Sequence, residues 1–247
     1  MRPIILIPTY NERESIKDLL DGIRNLNKDI EILIIDDNSP DKTTDYVKSL
    51  NYFKVDIMQR AQKDGLGSAY KAAIKQILQN ATYTHLISMD ADGSHRPEDL
   101  HEMLKVSEAN PESFILGSRW IPGGAIVNWP NHRKWLSKAG TKYAKWALKM
   151  DTNDLTGGFR IYPRKALEKI DLDQITSNGY CYQIEMAFAL KHLPKMEIIE
   201  VPITFVEREQ GQSKMSQRIV LEAMLKVTTL GLGLRLRPSA DKLHYVK

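Results

Sequence analysis

The stretch His85-Leu86-Ile87-Ser88-Met89-Asp90-Ala91-Asp92-Gly93-Ser94 is a short apolar run that leads into two carboxylates two residues apart. The run reads as a strand; in Ile4 to Ile7 and Ile32 to Ile35 the run is continuous and β-branched, as strands covered on both faces of a parallel sheet should be. Chain leaving such a strand can turn both carboxylates toward one hard divalent cation. Mg²⁺ retains several waters and takes one or two carboxylates plus substrate phosphates, so Asp90 and Asp92 are a sufficient protein set. The competing reading is a solvated turn, where aspartate is common.

Working outward, Ile4-Ile5-Leu6-Ile7, Ile32-Leu33-Ile34-Ile35, Val55-Asp56-Ile57-Met58 and Phe114-Ile115-Leu116 have the same strand character. Amphipathic stretches separate them, over 15–25, 41–50, 68–79 and 97–108, with start signals at Ser15, Asp41 and Pro97. This βαβα alternation predicts a mainly parallel central sheet with helices on both faces. Polar clusters follow three strand ends, at Thr9 to Glu12, Asp36 to Asp41 and Asp90 to His95. Ligands of open α/β sheets bind beyond the carboxyl ends of the strands, so the three clusters are expected to line one crevice. Asp37 is the carboxylate expected to meet a ribose or base there, with Asp41 and Asn38 serving as helix cap and turn residues.

The second half reads as an irregular Gly-, Pro- and Trp-rich stretch from Trp120 to Pro130, then a helix to Leu148. A strand near 159–162, a helix around 182–191 and a β pair near 197–206 follow. Cations recur in it: Arg119, Arg133, and Arg208 and Lys214 within a Gly- and Ser-containing loop. Guanidinium forks and ammonium groups suit phosphate oxygens. A single catalytic domain is expected over 1–230, with 231–247 as a C-terminal tail facing a membrane or a partner.

Several other classes fall away. An EF-hand loop starting at Asp90 needs glycine at its sixth position and glutamate at its twelfth, where His95 and His101 stand. Pro8-Thr9-Tyr10-Asn11-Glu12 occupies the place of a dinucleotide-binding glycine motif, and there is no phosphate-binding P-loop. A phosphatase with an aspartate nucleophile carries a similar Asp-x-Asp-Gly string, but after its first strand rather than its fourth. The net charge of +4 comes from interspersed acids and bases, without the basic stripe of a nucleic-acid binder. One cysteine, Cys181, excludes an intramolecular disulfide and suits a reducing cytoplasm. No window reaches the roughly 18 apolar residues of a spanning helix. The amphipathic 216–230 segment, with Ile219, Val220, Met224 and Val227 near helical spacing, and the 120–135 stretch are the two places where a membrane surface could be met.

Nine strings together resemble a known family: Pro8-Thr9-Tyr10-Asn11-Glu12, Asp36 to Asp41, Lys63-Asp64-Gly65-Leu66-Gly67, Asp90-Ala91-Asp92, Gly117-Ser118-Arg119, Asn128-Trp129-Pro130, Asp154 to Arg160, Gly179-Tyr180 with Gln183 and Glu185, and Gly211-x-Ser213-Lys214-Met215. In this order they are similar to the polyprenol (dolichol) phosphate mannose synthases, inverting glycosyltransferases of the GT-A fold. The resemblance implies transfer of mannose from GDP-mannose to a polyprenyl phosphate, with Mg²⁺ or Mn²⁺ as cofactor. A relative using a UDP-sugar such as UDP-glucose is the alternative. It further implies a nucleotide pocket of Pro8, Tyr10, Glu12, Ile35 and Asp37. Asp90, Ala91 and Asp92 would meet the donor, with Asp92 on the metal and Ser94 as the next metal-contacting position. Arg119, Arg133, Arg208 and Lys214 would hold the diphosphate and, with Ser213, the acceptor phosphate; Asp92, Arg119 and Arg133 are the expected catalytic set. Peripheral attachment to the cytoplasmic face of the membrane is expected, through the surface itself or a separate membrane-protein anchor. Gly93, where leucine is common, and Thr156-Gly157-Gly158, where Ser-Gly is more usual, depart from the family's pattern. The Gln-x-x-Arg-Trp string of processive synthases is absent, in keeping with one transfer per acceptor.

Overall fold

The computed structural model describes residues 1–179, 181–207, 217–236 and 244–247. Its central sheet is built from β1 (Pro3–Thr9), β2 (Glu31–Asp36), β3 (Val55–Gln59), β4 (His85–Ser88), β5 (Phe114–Ser118), β7 (Arg160–Pro163) and β8 (Ile198–Pro202); a short β6 (Ala125–Val127) lies outside it. The seven strands of the sheet stand in the order β3-β2-β1-β4-β7-β5-β8. Only β7 runs against the others, pairing antiparallel with both β4 and β5.

The unbroken apolar strands are explained by alternation. Ile4 and Leu6 enter the core beneath α3 (Leu66–Leu78), α5 (Asn131–Leu148), α6 (Arg164–Lys169) and α7 (Cys181–Lys191). Ile5 and Ile7 enter the opposite core beneath α1 (Ile16–Leu26), α2 (Thr43–Leu50) and α4 (Pro97–Ala109). Both faces of the sheet are covered, so both parities must be apolar. The helix starts are local. Pro97 begins α4 with Glu98 and Asp99 in its first turn, and Asp41 accepts the N–H and hydroxyl of Thr43 at 2.9 and 2.6 Å. Ser15 differs from expectation: its hydroxyl turns back to Glu12 and caps no helical N–H.

Two further points concern the second half of the chain. The expected β pair near 197–206 does not pair with itself. β8 joins the sheet edge beside β5, while β9 (Thr204–Val206) leaves after Ile203 and pairs in parallel with β6. The second concerns the C-terminal region: helix α8 (Gln217–Leu236) continues through residue 231. Farther on, Tyr245 is buried, its carbonyl accepts from Asp171 N and Lys247 N donates to Lys169 O, so the last residues close against the body.

Topology places the site. β1 has β2 on one side and β4 on the other, so the chain switches direction of travel across the sheet between β1 and β4. The carboxyl ends of β1, β2, β4, β5 and β8, and the amino end of β7, all reach the same edge. A crevice opens at such a switch point.

Candidate active site

The first wall of the crevice comes from the ends of β1 and β2. Pro8 and Ile35 are register partners. Ile35 is fully buried in the core. Asp36 is consumed locally, accepting from Thr9 Oγ1 at 2.9 Å and from Ser39 N and Oγ at 2.9 and 2.6 Å. That frees the neighbouring carboxylate of turn duty. Asp37 instead accepts from Arg60 Nη1 at 2.7 Å, and burial pushes its carboxyl above the usual range against the pull of the Arg60 charge. Arg60 Nη2 also donates to Ser68 Oγ at 2.7 Å, which donates to Asp64 Oδ2 at 2.8 Å. Tyr10 lies with Lys63 Nζ 3.9 Å from its ring centre, and the Glu12 N–H donates to Thr43 Oγ1 at 3.2 Å.

The second wall follows β4. The Asp90 N–H donates to His95 Nδ1 at 3.0 Å, and Nε2 lies 3.8 Å from Asp90 Oδ2. His95 is buried, stacked on Phe159 with centroids 4.8 Å apart, and its backbone bridges to Phe205. Its role is to hold the acidic loop, as β9 does when Val206 N donates to Ser94 O at 3.1 Å. Asp92 Oδ1 accepts from Ser94 N at 3.1 Å, closing a turn that Gly93 completes at φ +73° in open space. Ala91 is buried among the apolar residues below.

The loop before β7 supplies the floor. Arg160 is fully buried and its guanidinium holds three carbonyls: Gly157 at 2.8 Å, Gln183 at 2.6 Å and Leu155 at 2.9 Å. Ser88 Oγ donates to Gly158 O at 2.6 Å. This seats Gly158 against Asp90 so tightly that an added Cβ would lie 3.2 Å from both carboxylate oxygens.

Arg119, expected at the diphosphate and the acceptor phosphate, is paired with a carboxylate of this chain. Its Nε and Nη2 grip Asp154 at 2.6 and 2.7 Å, and Nη2 also reaches Thr156 Oγ1 at 2.8 Å. The pair is buried; although burial opposes it, the charge and hydrogen bonds of Asp154 raise the Arg119 pKa, and Arg119 holds the Asp154 carboxyl below its usual range. Thus Arg119 is a committed fork at the wall of the crevice, not an open one. Arg133 is likewise engaged, stacked 4.1 Å over Trp129 and paired through Nη1 with Glu207. Asp154, Arg60 and Glu207 are the partners that sequence reading missed. Asp154 stood inside a quoted string and gave a signal; Arg60 and Glu207 gave none. Arg208, Ser213 and Lys214 lie outside the described residues.

Divalent metal fits the acidic loop by donor chemistry. Asp90, Asp92 and Ser94 offer hard oxygens, and Ser94 Oγ is buried with no hydrogen-bond partner among the described residues. No cluster of three or more His, Cys, Asp or Glu side chains able to hold a metal occurs among the described residues, so such a metal would take its remaining ligands from water and substrate.

A mainly parallel sheet with paired carboxylates beyond β4, and Arg119 just past the end of β5 at the same edge, is the arrangement of a GT-A type glycosyltransferase. The chain belongs to glycosyl transferase family 2, whose pattern matches residues 4–171. It is 44% identical over 237 residues to undecaprenyl-phosphate mannosyltransferase of Micrococcus luteus, covering 95% of this chain and 96% of that one. It is 41% identical over 239 residues to polyprenol monophosphomannose synthase of Mycolicibacterium smegmatis, covering 95% and 89%. Among solved structures, glucosyl-3-phosphoglycerate synthase from Mycobacterium tuberculosis, in complex with Mn²⁺, uridine diphosphate and phosphoglyceric acid, shares the fold. Its TM-score is 0.68 at 15% identity, over 95% of this chain and 78% of that one.

Proposed function

We propose that the protein transfers mannose from GDP-mannose to a polyprenyl monophosphate with inversion, using Mg²⁺ or Mn²⁺. The observation that carries this reading is the pair of relatives above 40% identity, both named for mannosyl transfer to or synthesis on a polyprenyl phosphate, over nearly the whole chain. The acidic loop at the switch point of the sheet supports it chemically.

In this reading a phosphate oxygen of the acceptor attacks the anomeric carbon. A new C–O bond forms as the bond to the nucleoside diphosphate breaks, and the diphosphate leaves with the electron pair. A divalent ion held at Asp92, Asp90 and Ser94 would supply positive charge for that leaving group. Asp37, pre-set by Arg60, would receive the nucleoside's hydroxyl or base donors, with Pro8, Tyr10 and Glu12 beside it. An acceptor phosphate is already ionised near neutral pH, so it needs positioning more than deprotonation. Arg133 would exchange Glu207 for that phosphate, and Arg119, fixed by Asp154, would present its remaining edge. Arg208, Lys214 and Ser213 are assigned to phosphate contacts in the same reading.

Helices α5 and α8 lie side by side, with Tyr143 Oη 2.6 Å from Thr228 Oγ1 and Gly231 against Ala147. Among the described residues no helix is long and apolar enough to cross a membrane. Yet Trp135 and Trp146 are 76% and 64% exposed, Leu221, Met224 and Leu225 are exposed on α8, and Arg235 sits 4.5 Å over the Trp146 ring. Val227, by contrast, turns into the core. Exposed indoles beside cations suit a lipid surface. We assign this face to peripheral contact with the cytoplasmic leaflet, directly or with a membrane-protein anchor.

The test is a side-by-side incubation with radiolabelled GDP-mannose and UDP-glucose, Mg²⁺ and a short polyprenyl phosphate. Label entering the organic phase from GDP-mannose alone is expected. Transfer only from UDP-glucose overturns the donor assignment, and phosphate release without lipid product overturns the reaction class.

A further inference from the structure

Glu185 is a fully buried carboxylate on α7 that the reaction as described does not use. It is saturated with donors from three separate parts of the chain. Lys226 Nζ of α8 and Tyr245 Oη of the C-terminal residues both reach Oε1 at 2.8 Å. Ser177 N donates to Oε2 at 2.9 Å, and Thr176 N approaches Oε1 at 3.4 Å. Burial alone would raise its pKa; the bonds from Lys226, Ser177 and Tyr245 outweigh burial and hold it below the ordinary range, so the group is ionised. A buried charge with this many partners fixes the geometry of everything that bonds to it.

What it fixes leads to the donor pocket. The loop anchored by Ser177 is pressed on its other side against the start of α3. Asn178 O accepts from Gly67 N at 2.7 Å, and Lys71 Nζ donates to Ile175 O and Asn178 Oδ1 at 2.7 and 3.0 Å. The contact is close enough to demand glycine: a Cβ on Gly65, at φ +88°, would lie 2.4 Å from Asn178 O, and one on Gly67 2.7 Å from Ser177 O. The same α3 start carries Ser68, which bonds Arg60, which grips Asp37. A continuous set of hydrogen bonds and close contacts therefore joins Lys226 on the exposed helix α8 to the carboxylate assigned to the nucleotide.

We propose that Glu185 is a positioning residue for donor binding, tying the nucleotide pocket to helix α8. The inference rests on the function proposed above. Glu185 touches no reacting atom; it sets where the α3 start, Arg60 and Asp37 stand when the donor arrives. Its loss acts on donor affinity, and leaves the chemical step with its own residues intact.

The test measures GDP affinity by calorimetry with Mn²⁺, and donor KM, acceptor KM and kcat, for wild type, Glu185→Gln, Lys226→Met and the double variant. Glu185→Gln is expected to raise GDP Kd and donor KM about five-fold or more, with acceptor KM and kcat within about two-fold. Lys226→Met is expected to move the same two constants in the same direction by less, and to add nothing when combined with Glu185→Gln. Should Glu185→Gln fail to fold, Lys226→Met carries the test with the same expected direction. Wild type that binds GDP while both single variants keep its Kd overturns the inference alone, even if their melting temperatures fall. Wild type that binds no GDP overturns the donor assignment and the inference with it.

Discussion

Arg119 and Asp154 form a bidentate pair, Nε to Oδ2 at 2.6 Å and Nη2 to Oδ1 at 2.7 Å, buried at the wall of the crevice. Breaking one side of such a pair strands the other charge, at a cost of about 3–5 kcal/mol, whereas replacing both with apolar groups is often neutral. Asp154→Asn is therefore expected to lower the melting temperature by roughly 10 °C. The double variant Arg119→Met/Asp154→Asn removes both charges and keeps an oxygen for the Arg119 and Gly157 N–H groups, so it is expected to recover much of that loss in calorimetry while remaining inactive. Recovery of activity along with stability would make Arg119 a structural residue only.

The same pair sets a pH dependence. The folded Asp154 pKa lies below its ordinary value of about 3.9, so its stabilisation is complete above that value and is lost as pH falls through the folded pKa. Glu185, also depressed, adds to the same slope from its ordinary value of about 4.3 downward. Urea titrations from pH 6 to 2 are expected to show stability falling below about pH 4, and the fall should be shallower in Arg119→Met/Asp154→Asn.

His95 anchors the acidic loop through one acceptor atom. His95→Phe keeps a ring against Phe159 but leaves the Asp90 N–H without its acceptor, which costs about 1–3 kcal/mol. Denaturant unfolding measures this directly; a change below a few tenths of a kcal/mol would remove His95 from that role.

Gly158 leaves little room beside the Asp90 carboxylate. Gly158→Ala places a methyl 3.2 Å from both carboxylate oxygens, in a floor that Arg160 and Ser88 hold in place. Displacing a ligand through its supporting contacts typically weakens metal binding about 10- to 100-fold. The half-activating Mn²⁺ concentration is expected to rise accordingly, with activity returning at high Mn²⁺. An unchanged Mn²⁺ dependence would sever Asp90 from the metal.

The sheet was readable in advance because Ile4 to Ile7 and Ile32 to Ile35 leave no polar parity, which only a two-faced parallel sheet tolerates. That Asp37 and Asp90 to Asp92 stand just beyond strand ends was readable because strand ends are local features. The committed state of Arg119 was not, since Asp154 meets it from 35 residues away, and Arg60 reaches Asp37 across 23. The parting of β8 from β9 was hidden for a similar reason: a strand's partner is chosen by tertiary packing, and Ile203 to Val206 reads alike in either sheet. Tyr245 closes on Glu185 across 60 residues, a contact that no local pattern announces.

In the proposed reaction, carboxylates beyond β4 hold the cation that would neutralise the departing diphosphate. Anomalous diffraction at the manganese edge, from crystals grown with Mn²⁺ and GDP, locates that cation. A single strong peak within coordination distance of Asp92, bridging to the GDP phosphates, is the predicted result. GDP bound with the manganese peak elsewhere, or with none, contradicts it.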